Sequence, residues 1–152
     1  MPTTVVVMAT SNWTPDLDDA ADVIDYYRTR PVAFFEDLGF TLADTQKRVL
    51  EACTEHNRIL VWSGNGTGKT AGVTMAKYWY WVTRWNANVI VTSGQYAVLL
   101  DSAFPFIRRI HKRAQEVFPV PGDAIKSPPG LKVDDHPEWW LRYYAPKDPD
   151  NL

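Results

Sequence analysis

Arg58-Ile59-Leu60-Val61-Trp62-Ser63-Gly64-Asn65-Gly66-Thr67-Gly68-Lys69-Thr70 is the stretch that decides the fold. Arg58 to Trp62 is a short, mostly apolar run of the kind that forms a strand buried on both faces. Ser63 to Thr70 is rich in glycine and ends in Gly-Lys-Thr, the pattern of a phosphate-binding loop. Glycines there let backbone N–H groups turn inward around a polyphosphate. A helix that follows aims the positive end of its dipole at the same anion. Lys69 supplies a point charge to the β- and γ-phosphates, and the Thr70 hydroxyl can ligate Mg²⁺. Ser63 stands where the strict pattern has glycine. The bland alternative is a glycine-rich turn that ends in Gly-Lys-Thr; a strand before it and a helix after it favour the phosphate loop.

Working outward, Val73, Met75, Ala76, Trp79, Tyr80 and Val82 suit a helix from Lys69 to near Trp85. Asn88-Val89-Ile90-Val91-Thr92 reads as a second buried strand, and another helix begins near Gln95. Strand, helix, strand in that order is a parallel βαβ unit. The expected fold class is therefore α/β: a three-layer P-loop NTPase core with a mostly parallel sheet, preceded by a helical segment. Pro105 should kink or restart the next helix, because proline lacks the amide donor. Phe118 to Gly130 holds four prolines and two glycines and reads as a loop. Trp139 to Tyr144 is a candidate strand, and Pro146 to Asn151 is turn-like. Upstream, residues 1–13 read as a loose arm. Thr14-Pro15-Asp16 opens a helix to about Tyr27, a second runs from Pro31 to Leu38 and stops at Gly39, and a third starts near Asp44 with Val49, Leu50 and Cys53 inward. The organisation is an arm over 1–13, a helical region over 14–57 and the first part of a core over 58–152.

Composition narrows the function classes. With 152 residues, 45% apolar and 22% charged, the chain is one domain or a piece of a larger one. Seven Trp and seven Tyr are a large load of amphipathic ring surface for core or interface. A net charge of −2 gives no whole-chain argument for nucleic acid, so any such surface must be local. The single cysteine, Cys53, excludes an internal disulfide framework and fits a reducing interior. Val5 to Met8 is too short, and too poor in preceding basic residues, for a signal peptide. No run approaches the ~20 apolar residues of a membrane helix, so no membrane partner is expected.

Four ordered segments resemble the large terminase subunit of tailed viruses, the motor that packages double-stranded DNA into capsids. Phe40-Thr41-Leu42-Ala43-Asp44-Thr45-Gln46 resembles that family's adenine-contacting segment. Ser63 to Thr70 is similar to its variant P-loop, which often begins with a small residue other than glycine. Val91-Thr92-Ser93-Gly94-Gln95 looks like the second strand and its exit, and Leu141 to Leu152 like the approach to the Walker B strand. The P-loop is specific to NTPases, and the other segments gain meaning as an ordered set over roughly residues 31–152.

The resemblance implies ATP and Mg²⁺ as cofactors. Gln46, Ser63, Gly64, Asn65, Gly66, Thr67, Gly68, Lys69 and Thr70 would be the ATP-binding residues, with Lys69 catalytic, Thr70 on Mg²⁺ and Gln95 a coupling candidate. It also implies a portal protein and a small terminase subunit as partners, a homo-oligomeric ring, and a parent protein with ATPase and endonuclease activity. The location implied is the cytoplasm of the infected host cell and, transiently, the procapsid portal.

The sequence departs from the family in lacking a recognisable Walker B strand. Leu131-Lys132-Val133-Asp134-Asp135 has a lysine between its apolar residues and no glutamate after the aspartates. The reading is thus of a core truncated before Walker B, which binds nucleotide without completing hydrolysis. Two alternatives stay open: another nucleic-acid-acting P-loop ATPase of helicase type, or a catalytically incomplete nucleotide-binding or assembly module.

Other residues carry weaker signals. Arg108, Arg109, Lys112 and Arg113 form a basic stripe opposite Ile107, Ile110, Ala114 and Val117, a candidate DNA contact or simply a solvated helix face. Asp134, Asp135 and His136 are adjacent loop residues that seldom converge on one metal ion. Asp148 and Asp150 suit turns. Trp79, Trp81, Trp139 and Trp140 are core or interface candidates.

Overall fold

The computed structural model describes residues 20–62, 68–93, 97 and 99–144. In chain order these form α1 (Ala20–Tyr27), α2 (Pro31–Asp37), α3 (Asp44–Glu55), α4 (Lys69–Val82) and β1 (Asn88–Thr92). A π-helical turn (Leu99–Ala103) then leads into α5 (Phe104–Val117), followed by β2 (Asp123–Lys126), β3 (Pro129–Val133) and β4 (His136–Tyr144). α2, α3 and α4 agree with the sequence pattern; the arm over 1–13, the opening of the first helix at Thr14-Pro15-Asp16 and the helix start near Gln95 lie outside the described residues. Pro105 lies in the first turn of α5, where a missing N–H costs nothing, so the helix restarts there as expected. Gly39, at φ +87°, ends α2: its N–H donates to Glu36 O and the Phe40 N–H to Phe35 O, while the Phe35 and Phe40 rings meet edge to face.

The sheet does not agree. Its order is β1-β4-β3-β2, with β1 parallel to β4 and the other two pairs antiparallel. This mixed four-stranded sheet overturns the expected mostly parallel three-layer P-loop core. One cause is local. Ser127-Pro128 and Asp134-Asp135 are two-residue turns, and turns that short can only join antiparallel neighbours. The stretch read as a proline loop contains β2 and opens β3, because Pro129 occupies the first position of its strand, where a missing donor is tolerated.

The second cause is the segment before the glycine-rich stretch. Arg58 to Trp62 pairs with no described strand. Leu60 and Trp62 are 87% and 92% exposed, so the apolar run is not buried on both faces. An apolar cleft of about 470 Å³ separates it from β1, lined by Ile59 and Val61 on one side and by Val89, Val73 and Tyr80 on the other. The expected βαβ unit therefore does not form through this segment. β1 instead reaches its parallel partner β4 by a long crossover that includes α5.

Helices cover one face of the sheet. Leu131, Leu141, Tyr143, Trp139 and Val91 alternate inward and are buried, with Tyr143 against Phe104 of α5 and Trp139 against Trp81 of α4. Ile90 and Tyr144 lie on the opposite, more open face, where the Arg142 guanidinium stacks 4.5 Å from the Trp140 ring. On the far side of α4, rings of Tyr27, Phe34, Phe118 and Tyr78 join α1 and α2 to the same core. Trp79, Trp81 and Trp139 are core residues, with no exposed surface; Trp140 is half-buried.

The rings in this core spend their polar edges on cross-links. Trp79 Nε1–H donates to Tyr27 O at 2.7 Å, and Trp139 Nε1–H donates to Trp81 O at 2.9 Å. His111 Nε2 lies 2.9 Å from Gly122 O, a pure acceptor, so that nitrogen carries the proton. Its Nδ1 then accepts from the Tyr78 hydroxyl, also at 2.9 Å. Replacing Trp139 by Ala removes a fully buried ring and its hydrogen bond, and should cost about 3–5 kcal/mol of unfolding free energy in urea titrations.

The His111 ring is buried, and burial pushes its pKa below the ordinary value, against a smaller upward pull from the Gly122 carbonyl and Asp123. Its stabilising contribution is thus fully present above the unfolded-state pKa and is lost as pH falls through that value toward the folded one. Urea midpoints should fall between pH 7 and pH 5.5, and His111→Gln should flatten that slope. An unchanged slope in the variant would exclude His111 as its source.

Candidate functional site

The site is built where α3 meets the start of α4. Gly68 is the residue before α4 and adopts φ +75°, a conformation that glycine takes without the steric cost a Cβ brings. A Cβ there would also lie 3.2 Å from Gln46 Nε2. Lys69 and Thr70 follow as the first residues of α4, where backbone N–H groups have no partner within the helix. Lys69 is half-buried and Thr70 exposed.

Gln46 reaches this point through the cap of α3. Its Oε1 accepts the Ala43 N–H at 2.9 Å, which pins the side chain and leaves the amide nitrogen beside Gly68. Gly72 faces α3 at close range: a Cβ on it would be in ordinary contact, at 3.5 Å, with Gln46 Cγ. Two sequence segments read separately, Phe40–Gln46 and the end of the glycine-rich loop, thus form one wall. Ser63 to Thr67 and Gln95 lie outside the described residues, so the site's geometry rests on Gln46, Gly68, Lys69 and Thr70.

A cleft of about 290 Å³ opens at this wall. Thr45, Arg48, Val49 and Ala52 recur at helical spacing along one side of α3 and line it, facing Leu60 and Trp62 across from them. Sequence reasoning missed Arg48 and Trp62 as site residues. Arg48 falls three residues after Thr45 and four before Ala52, and that helical spacing was the signal for the first. Trp62 carried none, because a ring in an apolar run reads as core.

Lys77 was also missed. It lies on the Lys69 side of α4, at the i+8 position, and lines the larger apolar cleft with Cys53 and Lys69. Burial pushes the Lys77 ammonium pKa down and the Cys53 thiol pKa up.

The other candidates separate. Arg108, Arg109 and Lys112 are exposed on α5, the two guanidinium groups each 5.7 Å from the rings of Phe104 and Phe106. Arg113 leaves the stripe: its Nε–H donates to Leu38 O at 2.9 Å and its Nη1 pairs with Glu116 at 3.2 Å, so it ties α5 to α2. Asp134 is ion-paired with Lys132 at 2.6 Å, and the His136 ring meets Trp85 and Trp139. Among the described residues, no cluster of three or more His, Cys, Asp or Glu side chains could hold a metal ion. Among them, too, no helix is long and apolar enough to cross a membrane.

Compared with protein-family models, curated proteins and solved structures, the chain has no match. Gly68→Ala forces a Cβ into the left-handed region and against Gln46, and should lower stability by about 1–2 kcal/mol. Thermal unfolding of the variant beside the wild type measures this.

Proposed function

We propose that this chain binds the phosphates of Mg·ATP at the start of α4 and is the ATP-binding part of a DNA-packaging motor of the terminase large-subunit type. The observation that carries the reading is the meeting of Gln46 with Gly68 at the first turn of α4. In the family that the sequence resembles, the glutamine ahead of the loop contacts the adenine of the nucleotide whose phosphates the loop grips. Here two segments more than twenty residues apart in sequence are packed against each other at that point.

The residues present fit the expected ligand. Gly68 leaves room where a side chain would crowd Gln46, and the start of α4, with its positive dipole end, and the Lys69 ammonium suit an anion. The exposed Thr70 hydroxyl can serve as one oxygen ligand of an octahedral Mg²⁺, which would neutralise phosphate charge when bound. Lys69 orients the β- and γ-phosphates and stabilises charge that develops on them. Arg108, Arg109 and Lys112 provide an exposed basic face for the backbone of double-stranded DNA, where contact to phosphates needs no base readout. Arg113 is withdrawn from that role by its ties to Leu38 and Glu116.

Isothermal titration of the wild type with Mg²⁺ and a non-hydrolysable ATP analogue should show one site per chain. Lys69→Ala should weaken it at least tenfold without changing the thermal midpoint by more than a few degrees. Equal affinity in wild type and variant would overturn the assignment.

A further inference from the structure

We infer that Trp62 is the stacking platform for the nucleobase and that the Thr45–Ala52 stripe of α3 forms the opposite wall. The inference rests on the phosphate-binding reading above and adds to it the residue that holds the other end of the nucleotide.

Trp62 is 92% exposed, the most exposed large apolar side chain of the described residues. Six of the seven tryptophans lie in the described residues, and three of them are fully buried, so a ring left this open is out of character for the chain. Its neighbours explain neither packing nor pairing: Trp62 is in no described ring–ring or cation–π contact. It does line a cleft of about 290 Å³ whose other walls are α3 and the start of α4.

The composition of that cleft suits a planar heterocycle joined to phosphates. One end holds Lys69 and Gly68, which suit the anion. The sides hold an indole and the aliphatic groups of Leu60, Val49 and Ala52. The polar side chains that line it are Thr45, Gln46, Arg48 and Lys69; the Gln46 Oε1 accepts from the Ala43 N–H, which leaves Nε2 able to donate. A flat base inserted here would bury one face on the indole, with little dependence on base identity.

The test compares three titrations: Mg·ATP analogue on wild type, on Trp62→Ala and on Trp62→Phe, each paired with Mg·tripolyphosphate. Because Trp62 is exposed, circular dichroism and thermal midpoints of both variants should match the wild type. The inference expects wild type to bind the ATP analogue at least tenfold more tightly than tripolyphosphate. Trp62→Ala should lose about tenfold for the ATP analogue and nothing for tripolyphosphate, while Trp62→Phe should stay within about threefold of wild type. Wild-type affinity for the ATP analogue in Trp62→Ala would overturn the stacking role and leave phosphate binding intact. So would equal wild-type affinity for the two ligands. If neither ligand binds wild type, the phosphate-binding reading falls and this inference with it.

Discussion

The structure depends on one helix being buried on nearly every side. α4 presents Met75, Tyr78, Trp79, Trp81 and Val82 to neighbours in different directions, and each of these side chains is at most 3% exposed. A helix apolar all round is stable only inside a protein. Its surroundings must therefore come to it: α1 to α3 on one side, α5 and the sheet on the other. The large rings make this demanding, because an indole N–H or a phenol hydroxyl in the interior costs free energy unless it finds a partner. Trp79 finds the Tyr27 carbonyl, Tyr78 finds His111, and the carbonyl of Trp81 receives the Trp139 indole. Each bond links α4 to a different element, so the same contacts that bury the helix also fix what surrounds it.

That burial positions the candidate site. The first turn of α4 can hold a fixed direction because the turns behind it are packed. α3 is brought alongside by Leu50, which is fully buried, and by the close approach at Gly72, so Gln46 arrives at Gly68. The polar end of the helix is left at the rim of a cleft, with Lys69 half-buried and Thr70 exposed. Rigid support behind an open, donor-rich helix start is the arrangement that anion binding requires.

Much of this was legible in the residues. Helix spacing, the proline in the first turn of α5, the glycine after α2 and the strands at Asn88–Thr92 and Trp139–Tyr144 all follow from local chemistry, which is where sequence reasoning is strongest. The sheet was not legible for two physical reasons. Arg58–Trp62 has a strand's composition, but a strand exists only when a neighbour supplies its ladder, and no neighbour is written in those five residues. The hairpins from Asp123 to Tyr144 were hidden by prolines that occupy tolerated positions, Pro129 at a strand's start and Pro137 in the second residue of β4. At the candidate site, Lys69 was read from its motif and Gln46 from the family resemblance, whereas the exposure of Trp62 depends on a pairing that does not form. Arg113 looked like its basic neighbours, and its bond to the distant Leu38 carbonyl and its pairing with Glu116 distinguish it.

The proposed role of the start of α4 is to grip an anion, held in place by the packing behind it. Hydrogen exchange along the chain, with and without Mg²⁺ and a non-hydrolysable ATP analogue, tests it most directly. The amides of α4's first turn should exchange at least tenfold more slowly with ligand than without it, together with the first turn of α3, while α5 and β2 to β4 stay unchanged. Unaltered exchange at Lys69 and Thr70 under saturating ligand, or protection centred on α5 instead, would contradict the account.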